Sequence, residues 1–532
     1  MSASQATPKP APTPASPLTA RIAAEFASTH AQGDPFQPSA PQSVPTDPRQ
    51  RGDQWSGSGA ARRQGALQAL LDRGLPTSRD ENWKYVNLRP LDKVRFAPPS
   101  SHARPAIAVS DLPAAVGKSR YVFVDGVFDP SLSTPTTTTG VVVTSLSTSG
   151  VAPVAARALP SAGKSATAVG SPAVIRETVG AAVAGNAGGS ANDANVAAAA
   201  GDLRFALLNQ AFATDGAQIH VARGTECDIC VELVFVATTD AKAGASYPRI
   251  NFKVDANARV GLIERHVSIG SDANFINCAV EVDVARDANV QHYRVQQTGA
   301  RAIWFDTLTA NLAENAKYQV HMMNLGALSA RSTVHVKLLG ERSEVGVFGA
   351  SVGGKNQVHD IFALVDHVAP NARTDQSFRG IAGGRARVAF NGKIVVRRGA
   401  HGTDSSQSLR GLLAGTDAEI DVRPQLEIYT DDVRCNHGAT AGKLDDNMLF
   451  YMLSRGLDRE TALSLLKWAF LEDVVAKIEV PELRRQIEQS LAGQLNESDV
   501  LKGAPHAAHG QSSGRLPWID DERATPAQKE RL

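Results

Sequence analysis

The sequence predicts a mainly β protein: a stacked parallel solenoid, or β-helix, with an α+β cap before it and a helical domain after it. From Gly216 to Thr430 nearly every stretch alternates apolar and polar residues, as in Ile250, Phe252, Val254 and Val280, Val282, Val284, the period of strands with one buried face. A small polar turn followed by an apolar residue recurs as DANARV, RDANV, ENAKY, ERSEV, GRARV and TDAEI. The closing residues Val260, Val290, Tyr318, Val345, Val388 and Ile420 stand 30, 28, 27, 43 and 32 apart. Spacings near 30 with no helix between them read as one coil per repeat, whereas a sandwich places turn signals about every 8 to 12 residues. The 43-residue gap is read as a coil carrying an excursion around Gly353-Gly354 and VDHVAPNART. A hydrophobic fraction of 42% with 5% aromatics, rich in Val, Ile and Ala, suits sheet cores of small side chains.

Ahead of the repeats, residues 1 to 58 hold ten of the 28 prolines among Ala, Ser, Thr and Gln. They are expected to be disordered, because they bury too little apolar surface to offset their ordering entropy. Residues 59 to 150 form the α+β region. In ARRQGALQALLDRGLP, Ala66, Leu67, Leu70 and Leu71 share a helical face that Gly74 and Pro76 terminate. ENWKYVNL is a short helical segment, and RYVFVDGVF is a strand, an Asp125-Gly126 turn and a return. Residues 151 to 202, dominated by Ala, Gly, Ser and Val, read as a low-complexity insertion. Residues 203 to 440 are the β-helix. Residues 441 to 494 are helical, with Gly456 as a C-terminal cap, Asp458 as an N-cap and Pro481 in a first turn; such helices are expected to close a solenoid end. Residues 495 to 532 are a polar tail.

The 532-residue chain balances 55 Lys and Arg against 54 Asp and Glu. No bulk charge drives it towards nucleic acid or anionic lipid. Four cysteines make no disulfide framework, no run of 18 apolar residues is present, and the N-terminus lacks the apolar core of a secretory signal. A cytoplasmic protein is expected.

Several motifs fail on context. Ala158 to Ser165 satisfies a relaxed phosphate-loop pattern without a preceding strand and with Pro160 inside the loop. Gly349-Ala350-Ser351-Val352-Gly353 matches a nucleophile elbow, but Gly354-Lys355-Asn356-Gln357 does not start a helix. Cys227 and Cys230 form one CxxC without a second pair, and their strand parity should point the thiols apart. Cys278 runs in register with Val280, Val282 and Val284 as a core residue. A polysaccharide-cleaving β-helix would need paired carboxylates. Glu427 and Asp431 share a strand face about 13 Å apart, beyond the roughly 5 to 9.5 Å of a glycosidase pair, although carboxylates from neighbouring coils remain an alternative.

The densest chemistry is LEIYTDDVRCNHGAT, Leu426 to Thr440. On a continuous strand Cys435 and His437 project from one face with Cα atoms about 7 Å apart. A thiolate and an imidazole leave a soft-metal centre short of ligands, so such a site would be shared with another subunit, sulfide or substrate. The competing reading is a packed thiol beside a turn histidine.

The surrounding run PQLEIYTDDVRCNHGATAGKLDDNMLFYMLSRGL, Pro424 to Leu457, resembles the C-terminal hallmark of the SufB/SufD family of the SUF iron-sulfur cluster assembly system, and of its SufD branch in particular. The resemblance continues through FNGKIVVRRGAHGTDSSQSLRGLLAGTDAEI, VDHVAPNARTDQSFRG, FALLNQAFATDGAQIHV, FVDGVF and ENWKYVNL. SufB-type chains read HEAT after the histidine and carry a cysteine before the upstream Asp-Ser. Here the residues are His437-Gly438-Ala439-Thr440, with Thr403 before Asp404-Ser405. The resemblance implies a right-handed parallel β-helix that pairs with a SufB-like chain, and C-terminal helices that dock a SufC-like ABC ATPase. It implies a non-catalytic scaffold, fed indirectly by a cysteine desulfurase system. His437 is the implied ligand of a transient iron-sulfur cluster, with Cys435 a second candidate; the resemblance leaves room for a flavin in the assembled complex. A purely structural partner of the ATPase is the further alternative.

Overall fold

The computed structural model describes residues 16–30, 59–77, 79–99, 106–146 and 203–495. The expectations for residues 151 to 202, for the tail beyond residue 495 and for the phosphate-loop pattern fall outside these. From residue 217 onward the chain winds as a parallel β-solenoid whose strands alternate between two sheets. One sheet holds β5 (Glu226–Ala237), β7 (Arg259–Ser268), β9 (Asn289–Gln297), β11 (Lys317–Asn324), β13 (Glu344–Gly353), β15 (Arg373–Ala382), β17 (Thr403–Leu413) and β19 (Val433–Lys443). The other holds β4 (Ala217–Val221), β6 (Arg249–Val254), β8 (Phe275–Val284), β10 (Ile303–Leu312), β12 (Ser329–Leu338), β14 (Val358–His367), β16 (Arg387–Val396) and β18 (Glu419–Ile428).

The recurrent turn explains the winding. Asn257, Asp287, Asn315, Arg342 and Asn371 each adopt φ between 53° and 59°, the left-handed conformation that Asn and Asp tolerate best. The next residue is small and buried: Ala258, Ala288, Ala316, Ser343 and Ala372. Two positions later a side chain enters the lumen between the sheets, apolar in four coils (Val260, Val290, Tyr318 and Val345) and Thr374 in the fifth. Val260 stacks on Val290, Val290 on Tyr318 and Tyr318 on Val345. The 43-residue spacing carries no excursion. Val345 pairs with Thr374 in the next coil, and Val388 opens β16, which belongs to the other sheet. The gap is one coil and a half, because both corners of the coil use the same turn chemistry. Gly349 to Gly353 lies inside β13, with β14 and not a helix after it.

At the start, β1 (Arg120–Val124) pairs in parallel with β5 and antiparallel with β2 (Val127–Thr134), through a turn with Asp125 at φ 49° and Gly126 at φ 82°. β3 (Val141–Ser145) runs antiparallel to β4. The solenoid therefore begins under two reversed strands.

Two helical layers cover its outer faces. α2 (Gly59–Arg73) and α3 (Arg204–Phe212) join Trp83, Phe96 and Tyr247 over Phe275, Ile303 and Phe305 of the second sheet. The expectation of disorder up to residue 58 does not hold at 17–30, where α1 (Pro17–His30) buries Ile22 and Phe26 in this layer. Their i, i+4 spacing supplies an apolar stripe within a Pro- and Ala-rich composition. Glu25 Oε2 accepts from the Phe96 and Ala97 amides at 2.7 and 2.9 Å, and Arg21 donates to the Leu91 and Asp92 carbonyls.

α4 (Asp446–Ser454), α5 (Arg459–Val475) and α6 (Pro481–Gln494) begin at the Asp445 cap, the Asp458 cap and Pro481. They do not close the solenoid end. Leu471, Val474, Leu483, Ile487 and Leu491 pack along the outer face of the first sheet, on Tyr293, Met323, Phe348 and Ile381. An amphipathic helix buries most apolar area by lying along a sheet face. No helix among the described residues is long and apolar enough to cross a membrane.

Phe26→Ala tests the docking of α1. It should lower stability by about 3 kcal/mol in urea unfolding, and an unchanged midpoint would show that the helix contributes nothing.

Candidate functional site

The last coil differs from every coil before it. β18 and β19 are the edge strands of the two sheets, and beyond them no further coil stacks among the described residues. β18 is half-buried along nearly its whole length, and β19 is exposed from His437 onward. In β19 the register places Cys435 on Ser405 and His437 on Gln407. Both underlying residues are buried in the lumen. Strand alternation thus puts Cys435 and His437 on the lumen face, as their spacing predicts. Cys435 is half-buried against the lumen core, as are Val433, Ile420, Val422 and Leu426. His437, one pleat further, is exposed. A thiol and an imidazole therefore share the lumen face of the last coil.

The other sequence candidates sort differently. Cys227 and Cys230 do not point apart. The β5–β7 register is broken between Cys227 and Val231, where four steps of β5 span two of β7; Cys230 lies inside that break and is buried in the lumen core, with Cys227 packed against the same core. The Cys230 thiol lies 3.5 Å from the Cys227 carbonyl oxygen, and burial, then Cys227 itself, pushes that thiol up. A β-bulge of this kind is invisible to an alternation rule. Cys278 is buried in the lumen as expected. Glu427 pairs with Lys393 at 2.6 Å while Asp431 is exposed in the β18–β19 turn, so they form no catalytic pair.

A second constellation, in the lumen of the early coils, escapes the motif reading. Glu264 of β7 receives Nε and Nη2 of Arg294 at 2.9 and 2.8 Å, His266 Nε2 at 2.6 Å and His292 Nε2 at 3.1 Å. Arg294 Nη1 donates to Asp306 at 2.6 Å. All five are buried. Burial alone would raise the Glu264 carboxyl, but the Arg294 charge and the hydrogen bonds from His266, His292 and Arg294 hold it well below the usual range. The signal in the sequence is the repeat itself, since Glu264 and Arg294 are register partners one coil apart. Ligand atoms of Glu264, His266 and Cys278 all lie within 4.8 Å of one another. A cation there would have to displace the Arg294 guanidinium from Glu264, so the cluster acts as a structural ion-pair network.

The remaining buried histidines share one cause. Burial pushes His335, His359 and His367 down to about 4. Burial, then the Lys477 charge, takes His321 to about 3 where it stacks on Tyr293 and Phe348.

Two predictions follow from this interior. Arg294→Met leaves Glu264 and Asp306 buried without their counter-charge and should cost about 3 to 5 kcal/mol in urea unfolding; a loss below about 1 kcal/mol would mean that the network is dispensable. Stability should also fall on acidification. His321, His335, His359 and His367 stay neutral in the fold while the unfolded chain protonates near 6.5, so each favours unfolding as the pH drops below that value. Glu264 adds the same sign, because its contribution is present above about 4.5 and disappears as the pH falls further. By pH 5.5 the loss should be on the order of 1 kcal/mol per histidine, and a flat profile from pH 7 to 5 would contradict these environments.

Comparisons with known proteins bear on the whole arrangement. A family model described as "SUF system FeS cluster assembly, SufBD core domain" matches residues 235–470. The iron-sulfur cluster assembly protein SufD of Escherichia coli (strain K12) is 28% identical over 433 residues, 81% of this chain and 91% of that protein. An iron-sulfur cluster assembly SufBD family protein of Synechocystis is 27% identical over 441 residues, 81% of this chain and 90% of that one. Protein ABCI7, chloroplastic, of Arabidopsis thaliana is 28% identical over 306 residues, 56% of this chain and 63% of that protein.

Proposed function

We propose, from the premise that this chain is a SufB/SufD-family protein with a role in iron-sulfur cluster assembly, that it is a SufD-type scaffold subunit whose open solenoid end forms half of a nascent cluster site. One observation carries this reading: β18 and β19, ten and eleven residues long, have no strand on their outer edges among the described residues, while the lumen face of β19 carries Cys435 and His437. Long open edges invite pairing with another strand. A paralogous chain ending in the same kind of coil matches the strand spacing of both sheets and would bring its own ligands opposite His437. That partner is a SufB-like subunit.

The chemistry follows from what this chain supplies. His437 offers a neutral imidazole nitrogen, and Cys435 offers a thiol whose half-buried position suits a ligand that is covered once the partner docks. Two donors from one chain hold no cluster alone, so the cluster is cargo of the assembled pair. The chain acts as a scaffold and not as an enzyme. ATP hydrolysis belongs to a SufC-like ATPase docked on the C-terminal helices, where Phe450 and Tyr451 of α4 are 72% and 58% exposed. Two adjacent aromatics uncovered on one helix are candidate interface anchors. A flavin in the assembled complex is a separate matter for the same preparation.

The test is co-expression with SufB-like and SufC-like partners, followed by anaerobic iron and sulfide determination on the purified complex. His437→Ala should abolish cluster content while the subunits still co-purify. Wild-type iron and sulfide in that variant would refute the ligand role and leave a purely structural subunit. Phe450→Asp should reduce retention of the ATPase at least tenfold without releasing the SufB-like chain, and unchanged retention would move the docking surface elsewhere.

A further inference from the structure

We propose that Gln407 is a positioning residue for His437: its amide oxygen accepts the N–H of one ring nitrogen, selects the tautomer and turns the other nitrogen outward from the open end. The functional weight of this rests on the reading of His437 as a cluster ligand, but the observations concern the coil beneath it. Gln407 is 2% exposed. Its Nε2 donates to Gln376 Oε1 at 2.7 Å and to the Gly392 carbonyl at 3.0 Å. A backbone carbonyl only accepts, so the nitrogen must face Gly392, and the amide cannot be flipped. Oε1 is thereby turned away from both acceptors, and it has no hydrogen-bond partner among the described residues.

The surroundings are arranged for this amide pair. A Cβ on Gly392 would stand 2.7 Å from Gln376 Oε1 and 2.9 Å from Gln407 Nε2, so only glycine there leaves the two glutamines room to meet. One lumen row runs Gln376, Gln407, His437 on successive coils. His437 is the register neighbour of Gln407 on the last coil, about 4.8 Å away between backbones; its exposed ring makes no bond to Oε1 in this conformation, and a rotation of that ring towards the lumen is the step that joins the two. A buried acceptor without a donor costs roughly 1 to 3 kcal/mol, and the His437 ring N–H is the donor the register supplies. An imidazole that gives its one proton to Gln407 keeps its other lone pair for a metal, the role that outer partners play for metal-binding histidines.

Histidine-selective ¹⁵N NMR of the full chain at about pH 8.5, where an ordinary imidazole is neutral, reads this directly. The His437 signals are assigned by their loss in His437→Ala. The wild type should show a single dominant tautomer. Gln407→Met, similar in length but without an acceptor, should show both tautomers. A mixed tautomer in the wild type, or an unchanged pattern in Gln407→Met, would overturn the proposal. The wild-type spectrum decides even if that variant folds poorly. In the co-expressed complex, Gln407→Met should lower iron retention against a chelator by about 10- to 100-fold. If the tautomer responds as expected while Gln407→Met and His437→Ala both keep full iron and sulfide, the positioning stands and the cluster-ligand reading fails.

Discussion

In-register stacking of one coil on the next governs this molecule. Each strand takes its hydrogen bonds from the strand one coil earlier, so every residue inherits a neighbour about 30 positions back, and its side chain must suit that neighbour. The turn enforces the rule. A left-handed residue followed by a buried Ala or Ser brings the backbone round each corner at the same step of the repeat, which fixes the register of one coil on the next. Apolar columns such as Val260, Val290, Tyr318 and Val345 are the consequence, and so are the polar pairings. Glu264 meets Arg294, and Gln376 meets Gln407, because each occupies the same step of consecutive coils.

The same rule leaves the last coil incomplete. A solenoid cannot satisfy its own terminal edge, and the C-terminal helices, which might have turned over it, lie along the flank of the first sheet. The two ends of the fold are thus managed in opposite ways. The start is closed by reversed strands β2 and β3, whereas the finish exposes two long edges and the lumen layer holding Cys435 and His437. The early lumen pairs Glu264 and Asp306 with Arg294, and the late lumen carries the Gln376–Gln407 amide pair under the last strand.

Much of this was legible in the residues. Alternation marked the strands, the DANARV-type turns marked the corners, and the parity of Cys435 and His437 correctly placed both on one face. Failures came where a local rule met a non-local choice. The 43-residue spacing looked like an excursion because the two corners of a coil are chemically alike, and only pairing assigns each to its sheet. The Cys227 and Cys230 thiols converge because a bulge breaks the alternation. α1 hid in a proline-rich composition, its two anchors given value by a helical layer far along the chain.

By itself the sequence determined the solenoid, its repeat length, its helical end and the pairing of a thiol with a histidine at the final strand, because each depends on periods and turn propensities spanning a few residues. Tertiary structure decided that the helices flank the solenoid and leave its end open, that Glu264 is neutralised by Arg294, and that Gln407 lies beneath His437 with its oxygen free. These depend on which surfaces bury most area and which coils become neighbours, and such energies exist only once distant segments have met.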